Sequence, residues 1–243
     1  MPEKPDKTVS VPLSDAREGC RLLVEKIRDH LACAAALMLK GEHAHRLQGA
    51  SLFVLLGFEE SGKLLQLIQA SATAESQHAS IVELKDFVDH EGKASLTTDY
   101  VVRVLNHITS ALRSAGFLDE PFGGYLDHLT AVGSGYMKMR GAAMFVDYRN
   151  GMWSSGRSVS EEYLGMDLGS LGFFVSTVED ALEKHKTFRD LVAEYDALDK
   201  ELREGLPKVF REFARIASAA KQGDTLEQQL RESKEEKDFG TGG

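Results

Sequence analysis

SLFVLLGFEESGKLLQLI, residues 51–68, is the stretch that decides the fold. Its apolar residues do not keep to one side of a helix. Leu47, Val54, Phe58, Leu65 and Ile68 share one face, while Leu52, Leu55, Leu56, Leu64 and Leu67 cover the others. A helix that is apolar all round is buried by its neighbours. The longest unbroken apolar run, Leu52 to Phe58, is far short of the roughly 20 residues that cross a bilayer. The pattern therefore predicts a central helix from His43 to about Ala74, sheathed by other helices rather than by lipid.

Working outward, apolar residues at Leu23, Ile27, Leu31, Ala34 and Met38 after a candidate N-cap at Ser14 predict a first helix that Gly41 ends. The same period returns at Val101 to Leu112, at Phe122 to Leu129 and at Leu171 to Leu182, giving three more helices. Phe188, Leu191, Tyr195, Leu198 and Leu202 continue at heptad spacing among dense charges, and Leu206 to Ala220 adds another amphipathic stretch. Five prolines in 243 residues, three of them before residue 13, leave the helices uninterrupted. Residues 150–158 collect turn formers and read as a loop. The expectation is an all-α bundle: a flexible arm over 1–13, a single domain over 14–222 with a C-terminal helical extension from about 160, and a disordered polar tail over 223–243.

Lys and Arg number 29 against 38 Asp and Glu, a net charge of −9. That balance excludes a broad basic face for nucleic acid. Locally the sign reverses: residues 128–157 carry Lys138, Arg140, Arg149 and Arg157 against Asp147 alone. Any RNA contact must therefore be narrow. Cys20 and Cys33, thirteen positions apart on one predicted helix, are too distant to bond and are expected to be reduced. The polar first ten residues lack a secretory signal, so the chain is expected in the cytoplasm with no membrane contact.

Three clusters can carry chemistry. Glu59, Glu60 and Lys63 lie inside the apolar helix, where charge must find partners; Glu59 and Lys63 are four apart and can pair, while Glu60 points about a hundred degrees away. In Asp89-His-Glu-Gly-Lys93, His90 and Lys93 can share a helix face. The third, Tyr136 to Arg149, interleaves Lys138, Arg140 and Arg149 with Tyr136, Phe145 and Tyr148, residues suited to phosphates and bases. Their alternative role is structural, with Asp147 pairing Arg140 or Arg149. Glu42-x-x-His45 and Glu75-x-x-His78 match the carboxylate-bridged metal element, but at 1.5 Å per residue they sit about 50 Å apart on one helix and cannot converge. No metal and no cofactor is expected.

The order Phe58-Glu-Glu-Ser-Gly-Lys63, His90-x-x-Lys93, then Arg140 through Phe145-Val-Asp147-Tyr148 into Gly151-x-Trp153 resembles the AbiV-type abortive infection proteins of bacteria, of the HEPN superfamily, over roughly residues 15–190. The resemblance implies a HEPN-like helical bundle, usually a homodimer, that defends against phage by shutting down gene expression, with a phage-encoded activator as a possible partner. Many of its relatives are metal-independent ribonucleases. Their Arg-x4–6-His signature is absent here: Asp147 and Tyr148 follow Arg140, and Arg103-x-x-x-His107 is one residue short. Carried onto this chain, the resemblance implies Arg140 as the phosphate-binding group and His90 as the general base. Lys63 or Lys93 then stabilises developing charge, Glu60 orients one of them, and Lys93, Lys138, Asp147, Tyr148 and Arg149 face RNA. Its alternative is a non-catalytic module that binds a phage or ribosome-associated protein and blocks translation.

Overall fold

The computed structural model describes residues 8–39, 46–85, 87, 89–114, 123–144, 146–149, 152–155, 160–197, 199–205, 207–209 and 211. Helices dominate: α1 (Leu13–Leu39), α2 (Arg46–Ser76), α3 (His90–Ser114), α4 (Gly123–Met144) and α5 (Glu161–Lys184), followed by a helical run over 188–197. The all-α expectation holds for the architecture. The predicted helix from Leu206 to Ala220 and the predicted disordered tail fall almost wholly outside the described residues, as do Glu42, His45 and Phe145.

The chain divides into two compact units. The larger comprises residues 1–105 and 122–198, and everything discussed below as a site belongs to it. The smaller comprises residues 106–121 and 199–243 and contains a contact between His107 Nε2 and Asp199 Oδ1 at 3.2 Å.

In the larger unit α2 is the axis, as its all-round apolarity requires: Val54, Leu55, Phe58, Leu64, Leu67 and Ile68 are buried. It passes through two hydrophobic clusters. Phe58 belongs to the one shared with α4 and α5 through Leu129, Tyr136, Leu164 and Leu171. Leu64 belongs to the other, with Ile27 of α1 and Phe174 and Val178 of α5. The charged turn Glu59–Lys63 lies on α2 between these two clusters. α1 presents Ala16, Cys20, Val24 and Ile27 at helical spacing, and both cysteines are free thiols. Burial pushes the Cys20 thiol up to about 12, against the weaker pull of Arg17, so it stays protonated and inert.

Two short antiparallel pairs correct the sequence reading. Residues 9–12, expected in a flexible arm, form β1 (Val9–Pro12) and pair with β2 (Ile81–Leu84), Val9 opposite Leu84 and Pro12 opposite Ile81. Val82 and Leu84 turn into the core while Ile81 and Glu83 face out, an alternation only four residues long and too short to stand out in sequence. Likewise the expected loop over 150–158 contains β4 (Met152–Ser155), paired antiparallel with β3 (Val146–Arg149), Arg149 opposite Met152.

Helix ends follow local chemistry. Ser160 caps α5 by accepting from the Tyr163 N–H at 3.2 Å, with Glu161 and Glu162 in the first turn against the helix dipole. Thr187 and Asp190 exchange capping hydrogen bonds at the start of the 188–197 helix. The Glu75 carboxylate accepts from the N–H groups of Phe188 and Arg189 at 3.0 and 2.9 Å. Glu75 is thus engaged as a cap, which is a structural use of the Glu75-x-x-His78 element.

Candidate functional site

Three segments meet on one buried carboxylate. Glu59, 3% exposed on α2, receives His90 from the first turn of α3 and Tyr136 and Arg140 from α4. His90 Nδ1 lies 2.7 Å from Oε1, the Tyr136 hydroxyl donates to Oε2 at 2.8 Å, and Arg140 Nη1 donates to Oε2 at 3.4 Å. Lys63 Nζ stands 3.3 Å from Glu59 Oε1 and donates to Glu60 Oε1 at 2.9 Å, so one ammonium bridges two adjacent acids. Lys26 of α1 reaches Glu60 from the other side at 3.5 Å.

Local sequence explains how each group arrives. Tyr136 and Arg140 are four apart and therefore stack on one face of α4. Asp89 starts α3 by accepting from the Gly92 N–H at 3.2 Å, which fixes His90 as the first helical residue, aimed at α2. Gly62 makes the approach possible: a Cβ there would stand 1.9 Å from the Lys93 carbonyl oxygen, so α2 and α3 touch backbone to backbone at this point. The Glu-Glu-x-Gly-Lys run is therefore two acids, the gap that admits α3, and the lysine that balances them.

Electrostatics keep the centre ionised. Burial works to raise the Glu59 pKa, but the hydrogen bonds from Tyr136 and His90 and the charge of Lys63 outweigh it and hold the carboxyl below its ordinary value. Burial, reinforced by the Glu59 charge, pushes the Tyr136 hydroxyl up, so it remains a proton donor. Lys93 is lowered by burial first and by Lys63 second, against the pull of Glu59, Glu60 and Asp89. Counting Lys26, Lys63, Lys93 and Arg140 against Glu59, Glu60 and Asp89, the cluster carries one excess positive charge. With His90 Nδ1 directed at Glu59, the imidazole's Nε2 is free to face solvent, and the side chain is 44% exposed.

Of the residues singled out from sequence, Glu60, Lys63, His90 and Arg140 come together here. Lys93 comes close too, 3.9 Å from Glu59, but its side chain is 3% exposed and donates to the Phe87 carbonyl at 2.6 Å. It is a buried structural cation and not an RNA-facing one. Lys138 is exposed, two residues from Tyr136 and Arg140 and so on a different face of α4. Asp147, Tyr148 and Arg149 lie on β3, and their side chains fall outside what the structure describes. Arg140 takes Glu59 as its partner. Sequence reasoning missed that Glu59 is the hub and that Tyr136 is its ligand; the spacing Tyr136-x-x-x-Arg140 was the available signal.

A second polar cluster went unread altogether. Asp167 of α5, 1% exposed, accepts from the Tyr125 hydroxyl at 2.8 Å and lies 2.9 Å from His128 Nε2, both on α4. Burial raises the Asp167 carboxyl above its ordinary value, against the opposing hydrogen bonds and charge of His128 and the hydrogen bond of Tyr125. His128 stacks on Tyr163 and its side chain is 8% exposed. Among the described residues no group of three or more His, Cys, Asp or Glu side chains is arranged to hold a metal ion, and no helix is long and apolar enough to cross a membrane. Compared with known proteins, the chain matches no family model, no curated protein and no solved structure.

Proposed function

We propose that this chain is an RNA-directed phage-defence protein of the abortive-infection type, acting as a metal-independent endoribonuclease. One observation carries the reading: His90 and Arg140, fifty residues apart, meet on the two oxygens of a single buried carboxylate with Lys63 beside them. An imidazole oriented through one nitrogen by an ionised acid, with its other nitrogen toward solvent, is the arrangement of a general base. Adjacent Arg and Lys supply the charge that an oxyanion needs.

In this reading His90 Nε2 takes the proton of a ribose 2′-hydroxyl, and O2′ attacks the adjoining phosphorus. Arg140 and Lys63 hold the charge that develops on the phosphoryl oxygens. The bond to O5′ then breaks, and the proton held on His90 passes to O5′. The products are a 2′,3′-cyclic phosphate and a 5′-hydroxyl, with no net proton change. Glu59 fixes the imidazole and its charge balance, and Glu60 holds Lys63. The resemblance to AbiV-type proteins supports the defence setting, and with it we propose a homodimer in the cytoplasm that responds to a phage-encoded protein.

The test is to incubate the purified full chain with cellular RNA and to assay 2′,3′-cyclic phosphate ends. His90→Ala is expected to lower the cleavage rate by about 10²–10⁴-fold, and Arg140→Gln to do the same mainly through the phosphate. Toxicity that survives both changes in folded protein rules out nuclease action and leaves the translation-blocking module as the reading.

A further inference from the structure

A groove of about 950 Å³ runs along α2 beside β2, lined by Gln66, Gln69, Thr73, Gln77, His78 and the outward side of β2. It starts next to the Glu59 cluster: Gln66 follows Lys63 by one helical turn and donates to the Lys85 carbonyl, and Phe87, two residues on, accepts from Lys93. From Gln66 to the end of α2 the wall is about 15 Å long at 1.5 Å per residue.

The chemistry changes along this wall. The cluster around Glu59 has excess positive charge, whereas the groove sets Glu83 against Lys85 and is otherwise neutral, its amides, hydroxyls and His78 interspersed with Ala70, Ala74, Ala79 and Ile81. A surface without excess cations does not bind a phosphate backbone. Amide side chains and an imidazole are instead the groups that hydrogen-bond base edges and stack on base faces.

His78 stands out by its backbone. It follows α2 at φ 57°, the left-handed conformation, in a Schellman arrangement in which the His78 N–H bonds to the Glu75 carbonyl and the Ala79 N–H to the Ala74 carbonyl. Glycine is the common occupant of that position because it alone adopts it without steric cost. Here the position carries an exposed imidazole at the groove. Glu75 is occupied as a helix cap by the N–H groups of Phe188 and Arg189 and not by His78, whose exposed imidazole lines the groove.

We propose that this groove is a nucleobase subsite, seating the bases of single-stranded RNA on one side of the phosphate held by Arg140 and Lys63, with His78 stacking and Gln69 and Gln77 hydrogen-bonding. It rests on the RNA reading above and specifies which part of the substrate lies where.

Full-length His90→Ala protein, used to prevent cleavage, is titrated with a fluorescent mixed-sequence single-stranded RNA and, separately, with polyphosphate, which has the backbone charge and no bases. His78→Gly and Gln69→Ala are expected to weaken RNA binding, His78→Gly by about tenfold, while polyphosphate affinity stays within about twofold. His78→Gly removes a strained side chain, so its melting temperature should not fall; lost affinity in an equally stable protein cannot be assigned to misfolding. Arg140→Gln should weaken both ligands. If the groove variants leave RNA affinity unchanged while Arg140→Gln reduces it, the base subsite is wrong and the RNA reading stands; a peptide-binding groove would give this result. Equal losses for RNA and polyphosphate also overturn it, since the groove then reads backbone. If the parent protein binds no RNA at all, the RNA reading itself falls and takes the subsite with it.

Discussion

Two buried carboxylates grip helix α4, and they are built from nearly the same parts. Asp167 holds its N-terminal half through Tyr125 and His128; Glu59 holds its C-terminal half through Tyr136 and Arg140, with His90 added from α3. Between them α4 departs from helical geometry at Gly135. Each acid takes a tyrosine hydroxyl and a nitrogen base, yet the two are displaced in opposite directions. Glu59 is lowered because several donors and cations outweigh its burial, and Asp167 is raised because one tyrosine and one histidine do not. Access differs as well, His90 being 44% exposed at the side chain and His128 8%. A buried acid with a histidine is therefore not in itself a site. Surplus positive charge and an open imidazole face are what set the Glu59 cluster apart from the Asp167 tie between helices.

The largest effect is expected at Glu59. Glu59→Gln leaves Lys63, Arg140 and Lys93 without their shared counter-charge and is expected to cost about 3–5 kcal/mol in urea unfolding, as removal of one partner of a buried ion pair does. A loss below about 1 kcal/mol would mean that the cations are satisfied without it. Gly62→Ala tests the approach that assembles the cluster: the added methyl must displace the Lys93 backbone, and a destabilisation of about 3 kcal/mol is expected, with loss of the proposed RNA cleavage in whatever remains folded. Asp167→Asn, which keeps shape and much of the hydrogen bonding, should cost only about 1–2 kcal/mol and leave the proposed cleavage within a few-fold.

pH sharpens the same contrast. Because the folded pKa of Glu59 lies below 4.5, its ionised form adds stability that is complete above that value and is lost as pH falls through the folded pKa. The advantage of the native protein over Glu59→Gln should grow as pH rises toward 4.5 and then level off. Asp167 is raised, so ionising it costs the fold more than it costs the unfolded chain, and stability falls as pH rises from 3.8 toward the folded pKa. The advantage over Asp167→Asn should shrink over that interval. Parallel slopes for the two variants, measured by unfolding from pH 3 to 7, would contradict the opposite displacements.

Much of this was written in one dimension. The all-round apolarity of residues 51–68 identified α2 as the axis, and helical periods located α1 closely and the C-terminal half of α5, because burial of one face forces a repeat of 3.6 residues whatever the neighbour is. Glu60, Lys63, His90 and Arg140 were legible as candidates because charge inside an apolar helix, or a local reversal of the chain's sign, is costly to keep without a reason. The four-residue strands were not, since two alternations carry too little pattern to separate from chance. Sequence alone thus determined the helical class, the central helix and which residues stood out chemically, all of which follow from local periodicity and the cost of burying charge. Only tertiary structure decided that Glu59 rather than Glu60 is the hub, that Lys93 is buried, and that Asp167 ties α4 to α5. Those outcomes depend on which helix faces meet, and contacts between residues 31 to 81 positions apart leave no periodic trace in the chain.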